Sequence, residues 1–331
     1  MTVGDHEEFD LVAWIRRRVP PPGPEVVIGI GDDAAVLRPP RGELLVVTTD
    51  TLVDGVHVER ALCPPETIGR RAVAVNLSDL AAMGARPQWL LLSLAVPPSL
   101  PLAHFEALVD GAIAAATAAG AALVGGNLTR TPGPLTVDVT AAGRVHPRRL
   151  LRRDTARPGD VLWVTGALGG AAAGLAMLRA GAAATGPSVD RYLTPVARLR
   201  EGAALAGARA ARAALDVSDG LASSLRQLAA ASNVGVRIDA ERVPLVADAR
   251  SWFERAGVDP LVAALAASDD YELLIASPPR SDGRIRAARR RFATPLTAIG
   301  VVTKSRECVL VRDGVAHPLP HGFAHFAGRP G

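Results

Sequence analysis

The sequence predicts a mixed α/β protein with two domains. Its 331 residues are more than one domain usually needs, and the 49% that are apolar can supply a core for each of two. Apolar runs of strand length alternate along the chain with segments of helical length. A charged stretch, residues 148–160, ends in the turn Pro158-Gly159-Asp160 and marks the boundary, which gives domains 1–147 and 148–331.

The first domain opens with apolar residues at helical spacing, which stop at Pro20 because proline cannot continue a helix. A second helix is expected to begin at Pro64 and to close at Gly84. The elements predicted in this domain are helices 9–19, 64–85 and 105–119 and strands 26–28, 44–47, 89–96, 121–124 and 135–145.

The second domain begins with a strand that leads into the glycine-rich segment Gly166–Gly170 and a helix of small residues. The dipeptide Asp259-Pro260 is expected to interrupt its last long helix. The other predicted elements are strands 161–164, 214–217, 234–238, 271–276 and 298–302 and helices 192–213, 221–232 and 252–267.

The composition argues against a nucleic-acid partner and against a membrane span. The net charge is only +4, the basic residues are scattered, and aromatic residues make up 4% of the chain. Prolines interrupt one long uncharged stretch, 88–103, and the other, 111–129, fits a small-residue helix that runs into a strand. Cys63 and Cys308 form no metal-spaced pair, which favours a reduced, cytoplasmic location.

Carboxylates follow several of the predicted strands. Clustered carboxylates repel one another unless cations lie between them, and Mg²⁺ binds carboxylates together with phosphate oxygens. The same residues also fit turns rich in Asp and Gly, and Ser78-Asp79 and Ser218-Asp219 also fit helix caps. The acids at the predicted strand ends are Asp32, Asp33, Asp50, Asp79, Asp216, Asp219, Asp269 and Asp270.

Several common motifs of enzymes are missing from the sequence. Lys304 is the only lysine and no glycine-rich run precedes it, which excludes a Walker A loop. The sequence contains no Gly-x-Ser-x-Gly or His-Glu-x-x-His pattern, and its glycine clusters lack dinucleotide-binding spacing. The aspartates therefore remain as the candidate site.

Six motifs, in order along nearly the whole chain, resemble the thiamine-monophosphate kinases. These belong to the superfamily of aminoimidazole ribonucleotide synthetase and selenophosphate synthetase. The most specific motif is Asn-Leu-Ser-Asp-Leu-Ala-Ala-Met-Gly-Ala at 76–85. The others are Gly-Ile-Gly-Asp-Asp-Ala-Ala-Val at 29–36, Thr-Asp-Thr-Leu-Val-Asp-Gly-Val-His at 49–57, Asp-Val-Ser-Asp-Gly-Leu at 216–221, Asp-Tyr-Glu-Leu at 270–273 and Gly-Phe-Ala-His-Phe at 322–326.

The resemblance implies an aminoimidazole-ribonucleotide-synthetase-like fold. Residues 1–147 would bind ATP and Mg²⁺ and form a homodimer, and residues 148–331 would close over nucleotide and substrate. The implied reaction is ATP-dependent phosphorylation of thiamine monophosphate to thiamine diphosphate, by direct transfer without a covalent catalytic residue. Such a transfer depends on positioning and on neutralising charge, and magnesium ions held by aspartates can do both.

The resemblance also implies roles for individual residues. The magnesium ligands would be Asp33, Thr48, Thr49, Asp50, Asp79, Asp216 and Asp219. ATP would contact Gly126, Arg153 and Ser218, and the thiamine part of the substrate would contact His57, Asp269 and Phe323.

Two positions depart from the family pattern. Asn127 stands where the family has Asp, so it can offer a carbonyl oxygen to a metal but no charge. Asp269 stands where the family has Glu and is one methylene shorter. These departures leave two alternatives open: a kinase of the same fold that acts on another small molecule, and a non-catalytic relative that binds nucleotide.

Overall fold

The structure is a computed structural model that describes residues 1–31, 34–183, 185–266 and 269–320. The chain divides into an N-terminal unit, Met1–Leu80 with Ala85–Arg148, and a C-terminal unit, Ala81–Gly84 with Arg149–Gly331. Each unit contains helices and strands, which confirms the mixed α/β prediction. None of the described helices combines the length and apolar surface that a membrane crossing requires. Two predicted site residues, Asp33 and Phe323, lie outside the described residues.

The N-terminal unit is built on a four-stranded sheet with the strand order β3-β6-β4-β5, and a separate two-stranded sheet joins β1 and β2. Its helices are α1 (Glu8–Arg18), α2 (Pro65–Ala82) and α3 (Leu102–Ala118). Its strands are β1 (Val26–Ile28), β2 (Val36–Leu37), β3 (Leu44–Val53), β4 (Arg86–Val96), β5 (Ala122–Arg130) and β6 (Thr136–Val145).

The four-stranded sheet has one covered face and one open face. On β6, Val137, Val139 and Ala141 are buried and alternate with half-buried residues, as expected when every second side chain points into a core. Helices α2 and α3 approach each other closely in this unit. A Cβ atom added to Gly69 would lie 1.9 Å from the carbonyl oxygen of Leu108, so only glycine allows this contact.

Two strands are longer than the sequence indicated. β3 continues through Thr48–Thr51, and β5 continues through Gly125 to Arg130, so the prediction that these polar residues lie beyond strand ends is wrong. Both strands lie at the edges of the sheet, where polar residues keep contact with water and are tolerated within a strand.

The C-terminal unit contains seven helices and seven strands among its described residues. The helices are α4 (Gly170–Arg179), α5 (Pro187–Leu193), α6 (Leu199–Gly207), α7 (Leu221–Ser232), α8 (Ala247–Arg255), α9 (Pro260–Ala266) and α10 (Asp282–Arg289). The strands are β7 (Val161–Thr165), β8 (Ala213–Val217), β9 (Gly235–Asp239), β10 (Glu272–Ser277), β11 (Leu296–Thr303), β12 (Cys308–Arg312) and β13 (Val315–Pro318).

These strands form one sheet in the order β13-β12-β9-β11-β7-β10-β8, and helices cover both of its faces. Leu225 of α7 and Leu265 of α9 belong to the core on one face, and Leu205 of α6 and Ile285 of α10 belong to the core on the other. The predicted helix 192–213 is divided between the end of α5 and α6, and α6 ends at Gly207, just before Arg209, whose φ of +50° cannot continue a helix. Helices α5 and α10 and strands β12 and β13 were not predicted.

Candidate functional site

In the N-terminal unit, the predicted magnesium ligands Thr48 and Asp50 lie on the covered face of the sheet, and Asp79 lies on helix α2. The hydroxyl of Thr48 donates to Oδ2 of Asp79 at 2.5 Å. Asp50 lies two residues further along β3, and because side chains alternate in a strand it shares the face of Thr48. Asp79 lies inside α2, so the helix-cap interpretation of Ser78-Asp79 is wrong. The group offers carboxylate and hydroxyl oxygens, the ligand type that Mg²⁺ prefers.

The side chain of Thr49 points to the open face instead. Its hydroxyl is 3.3 Å from Oδ1 of Asp138 and 3.2 Å from the hydroxyl of Thr140, two residues of β6. Thr51 donates to the other oxygen of Asp138. A metal contact from Thr49 on the side of Asp50 would therefore have to use its main-chain carbonyl.

Gly126 and Asn127 lie on the opposite edge of the sheet from Thr48 and Asp50. Three strand spacings separate β3 from β5, a distance of about 14 Å, whereas Mg²⁺ holds its ligands at about 2.1 Å. Asn127 pairs with Ser93, which pairs with Asp138, so its side chain is also on the open face. Within one sheet, Asn127 cannot share an ion with Asp50. Gly126 has φ of +150°, and a Cβ there would lie 1.8 Å from the carbonyl of Leu92.

The described residues contain no group of three or more His, Cys, Asp or Glu side chains placed to hold a metal ion. Asp33, which the sequence adds to the set, is outside the described residues. Within the N-terminal unit, Thr48, Asp50 and Asp79 nevertheless fit Mg²⁺ in the chemistry of their donors. Magnesium usually completes its coordination with water and substrate phosphate, so few protein ligands suffice.

His57 lies in the turn that follows β3. Its Nδ1 accepts a hydrogen bond from the main-chain N–H of Val53 at 3.1 Å. Because Nδ1 is the acceptor, the proton of the neutral ring is on Nε2. The bond fixes the ring plane, so the predicted substrate contact would be made by a ring of set orientation.

In the C-terminal unit, Asp216, Ser218 and Asp219 lie at the end of β8 and in the turn before α7. Asp216 is buried, and its main-chain carbonyl accepts a hydrogen bond from the hydroxyl of Ser224 at 3.0 Å. The N-cap of α7 is Gly220, which has no side chain, so the helix-cap interpretation of Ser218-Asp219 is wrong.

The segment Asp269–Tyr271 is tied to that same turn. The main-chain N–H of Asp269 donates to the carbonyl of Ser218 at 2.7 Å, and the N–H of Tyr271 donates to the carbonyl of Val217 at 2.9 Å. Asp269 has φ of +73° and Tyr271 has φ of +49°, a conformation that costs a non-glycine residue about 1–3 kcal/mol. The structure therefore brings together Ser218 and Asp269, residues predicted to contact ATP and substrate.

The next residue, Asp270, is buried and faces the first turn of α4. It accepts hydrogen bonds from the main-chain N–H groups of Gly169 at 2.7 Å and Ala171 at 3.4 Å. Burial raises the pKa of the Asp270 carboxyl to about 7, and the two N–H bonds oppose that rise. Asp270 therefore links the Asp269 segment to the glycine-rich segment before α4.

Sequence reasoning missed a buried ion cluster around Glu272. This fully buried carboxylate accepts bonds from Nε of Arg198 at 2.7 Å, from Nη1 of Arg191 at 3.0 Å and from the hydroxyl of Thr165 at 2.6 Å. Asp270, Arg191 and Arg198 also line a cavity of about 220 Å³ in this unit. The glutamate of the Asp-Tyr-Glu-Leu motif was the one available signal, but its partners are 74 and 81 residues away in sequence.

Arg153, a predicted ATP contact, is exposed and donates to the side chain of Gln227 on α7 at 2.9 Å. Gln227 is seven residues into that helix, about 10 Å along its axis from the turn that holds Ser218. In this conformation the guanidinium group is docked on α7 rather than turned towards Ser218.

Comparison with known proteins assigns both halves of the chain. The model for the AIR synthase related protein N-terminal domain matches residues 31–145, and the model for the C-terminal domain matches residues 157–313. The chain therefore belongs to the AIR synthase related proteins.

Individual proteins that are similar in sequence and structure indicate one family within this class. The thiamine-monophosphate kinase of Escherichia coli K12 is 38% identical over 330 residues, which cover 97% of this chain and 98% of that protein. A crystal structure of the thiamine-monophosphate kinase from Stenotrophomonas maltophilia K279a is similar with a TM-score of 0.82 and 40% identity, over 94% of this chain and 98% of that one. AaThiL complexed with AMPPCP and TMP has a TM-score of 0.75 and 31% identity, over 98% and 99% of the chains. This chain belongs to the thiamine-monophosphate kinase family.

Proposed function

We propose that this protein catalyses the ATP-dependent phosphorylation of thiamine monophosphate to thiamine diphosphate. The observation that carries the proposal is the sequence similarity to thiamine-monophosphate kinases, which are 37% and 38% identical to this protein over 97% of its chain. A solved structure of a relative of 31% identity is complexed with AMPPCP and TMP. In the reaction the bond between the β–γ bridging oxygen and the terminal phosphorus of ATP breaks. A bond from that phosphorus to a phosphate oxygen of thiamine monophosphate forms, and ADP leaves.

Magnesium is the cofactor that the acids of the N-terminal unit would hold. Bound there, Mg²⁺ would neutralise the phosphate oxygens of two anionic reactants and hold them in register. Asp50 and Asp79 supply the charge, and Thr48 orients the Asp79 carboxylate through its 2.5 Å hydrogen bond. The other proposed magnesium ligands are Asp33, Asp216, Asp219 and the main chain of Thr49. Asn127, on the opposite edge of the sheet from Asp50, would hold a separate ion through its uncharged carbonyl oxygen.

The remaining proposed contacts divide between nucleotide and substrate. Gly126 would admit ATP close to the main chain, since no side chain covers it. Arg153 would leave Gln227 and pair with phosphate, for which a guanidinium group is suited. Ser218 would also contact ATP. His57, Asp269 and Phe323 would contact the thiamine part, where an aromatic ring can stack on a cationic heterocycle.

We also propose that the protein forms a homodimer through the N-terminal unit. On the open face of the sheet, Leu45 and Val47 are 53% and 58% exposed, and Leu91 is 38% exposed. Exposed apolar side chains grouped on one face are typical of an interface. Neither Cys63 nor Cys308 is in a disulfide, which agrees with a cytoplasmic location, and we propose the cytoplasm as the site of action.

The direct test incubates the purified protein with ATP, Mg²⁺ and thiamine monophosphate and separates the products by chromatography. Thiamine diphosphate and ADP should form in equal amounts, and EDTA should abolish both. Absence of thiamine diphosphate at saturating ATP and Mg²⁺ would reject the proposal.

A second candidate function, phosphorylation of a different small acceptor, is favoured by one observation. Asp269 is shorter than the glutamate of the family, and its carboxylate is bonded to Tyr271 within the C-terminal unit. A panel of phosphorylated and unphosphorylated acceptors in the same assay separates the two candidates. The second candidate function requires that another acceptor has a higher kcat/KM than thiamine monophosphate.

A further inference from the structure

Asp269 and Tyr271 hold backbone conformations that side-chain-bearing residues rarely adopt, with φ of +73° and +49°. Such conformations persist only where surrounding contacts enforce them, and they are concentrated at binding sites. Contacts with neighbouring residues must therefore hold Asp269 and Tyr271 in these conformations.

Hydrogen bonds made by four consecutive residues, 269–272, hold this segment in place. Main-chain bonds join Asp269 to Ser218 and Tyr271 to Val217. The carboxylate of Asp270 is bonded to the first turn of α4, and Glu272 is bonded to two arginines. The side chain of Tyr271 is nearly buried, at 7% exposure, so its ring has little freedom to move. The phenol oxygen is thus held as a fixed point in the C-terminal unit.

That phenol donates a hydrogen bond to Oδ1 of Asp269 at 3.0 Å. Asp269 is half-buried, and this bond restricts the rotation of its carboxylate. A rotating carboxylate would have to be ordered each time it bound an amino group, which weakens binding. The bond to a rigid ring removes that cost before the substrate arrives.

We infer that Tyr271 is a positioning residue for substrate binding: its hydroxyl holds the Asp269 carboxylate in the orientation that accepts the amino group of the acceptor's heterocycle. This inference rests on the proposed function, in which Asp269 contacts the thiamine part. Tyr271 acts on affinity for the acceptor and not on the transfer step, because its hydroxyl acts through Asp269, the proposed contact with the thiamine part.

The test measures kcat and KM for the acceptor in four proteins: wild type, Tyr271→Phe, Asp269→Gly and the double variant. Tyr271→Phe keeps the buried ring and removes only the hydroxyl. Asp269→Gly removes the carboxylate that accepts the bond and suits the φ of +73° at this position. The acceptor used is the one that the wild type phosphorylates best. Failure of thiamine monophosphate as acceptor therefore rejects the proposed function, while the ratios still test Tyr271.

Tyr271→Phe should raise KM for the acceptor about 5- to 10-fold, the effect of one hydrogen bond to a charged group, with kcat and KM for ATP within about twofold of wild type. The double variant should be no worse than Asp269→Gly, since the hydroxyl acts through that carboxylate. Tyr192→Phe, which changes the only other tyrosine, should match the wild type. An unchanged KM in Tyr271→Phe, a loss confined to kcat, or independent effects that multiply in the double variant would overturn the inference.

Discussion

At the scale of single residues, two adjacent threonines on β3 have different surroundings. Thr48 donates to Asp79 on the covered face, and Thr49 faces Asp138 on the open face. The sequence identified both as metal ligands by resemblance, but could not show that one side chain points away from the other. Successive side chains of a strand point to opposite faces, but this rule applies to Thr48 and Thr49 only if β3 is known to extend through them.

Thr48→Val should therefore raise the Mg²⁺ concentration for half-maximal rate, because Asp79 loses the donor that orients it. We expect a rise of ~10-fold, the usual effect of removing a group that supports a metal ligand. Thr49→Val is the matched control and should stay within about twofold, because its side chain is not on that face. Magnesium titrations of the initial rate give both values. Equal shifts in the two variants would refute this assignment.

The raised pKa of the buried Asp270 carboxyl predicts that the free energy of unfolding depends on pH. Its pKa is about 7 in the folded protein, above the ordinary value of 3.8, because burial disfavours the charged form. The folded state therefore holds a proton that the unfolded state has released. The stabilisation that this proton provides is full below pH 4 and is lost as the pH rises to about 7.

Asp270→Asn removes this titration but keeps an oxygen for the N–H of Gly169. Between pH 5 and pH 8 the free energy of unfolding of the wild type should fall by about 2 kcal/mol relative to the variant. Urea unfolding at several pH values, without ligands, measures the difference. A difference that does not change with pH would show that Asp270 is ionised in the folded protein throughout this range.

At the scale of elements, sequence patterns predicted most helices and strands but not their ends at the site. Proline and glycine located α2 and the break between α8 and α9. The ends of β3 and β5 were missed because their polar residues resemble turns, and only pairing with β6 and β4 explains them. The Glu272 cluster was missed because its members come from β7, β10 and the segments around α5 and α6.

The close approach of α2 and α3 gives a prediction for these elements. A Cβ at Gly111 would lie 2.1 Å from the carbonyl oxygen of Glu66, so Gly111→Ala must push the helices apart. We expect a loss of at least ~2 kcal/mol in unfolding free energy.

Gly207→Ala, at the end of α6 with no atom within 4 Å of the new Cβ, is the control. It should stabilise the protein by roughly 0.5 kcal/mol, because alanine restricts the unfolded chain. Urea unfolding followed by circular dichroism measures both. Similar effects of the two substitutions would contradict the close helix contact.

At the scale of the whole molecule, the sequence predicted the family and the fold class from six ordered motifs. It could not predict which acids share a face, because that depends on strand pairing between distant segments. It named both Asn127 and Asp50 as metal ligands but could not show that the strand order puts them on opposite edges of one sheet.

The proposed homodimer gives a prediction at this scale. Val47→Glu places a charge on the open face and should shift the protein from dimer to monomer, since a charge within an apolar interface is costly. Val258→Glu, at an exposed valine of the C-terminal unit, should leave the assembly unchanged. Size-exclusion chromatography with light scattering reports the mass. A wild-type monomer, or a Val47→Glu dimer as stable as the wild type, would contradict the proposed interface.

The central claim is that aspartates on the covered face of the N-terminal sheet hold the magnesium needed for phosphoryl transfer. Magnesium titration of thiamine diphosphate formation by Asp50→Asn and Asp79→Asn tests it most directly. Asp110→Asn, at a partly exposed carboxylate paired with Arg18, is the control. We predict that both site variants need at least ~10-fold more Mg²⁺ or lose activity, and that the control stays within about twofold of wild type. Wild-type magnesium dependence in Asp50→Asn and Asp79→Asn would contradict the claim.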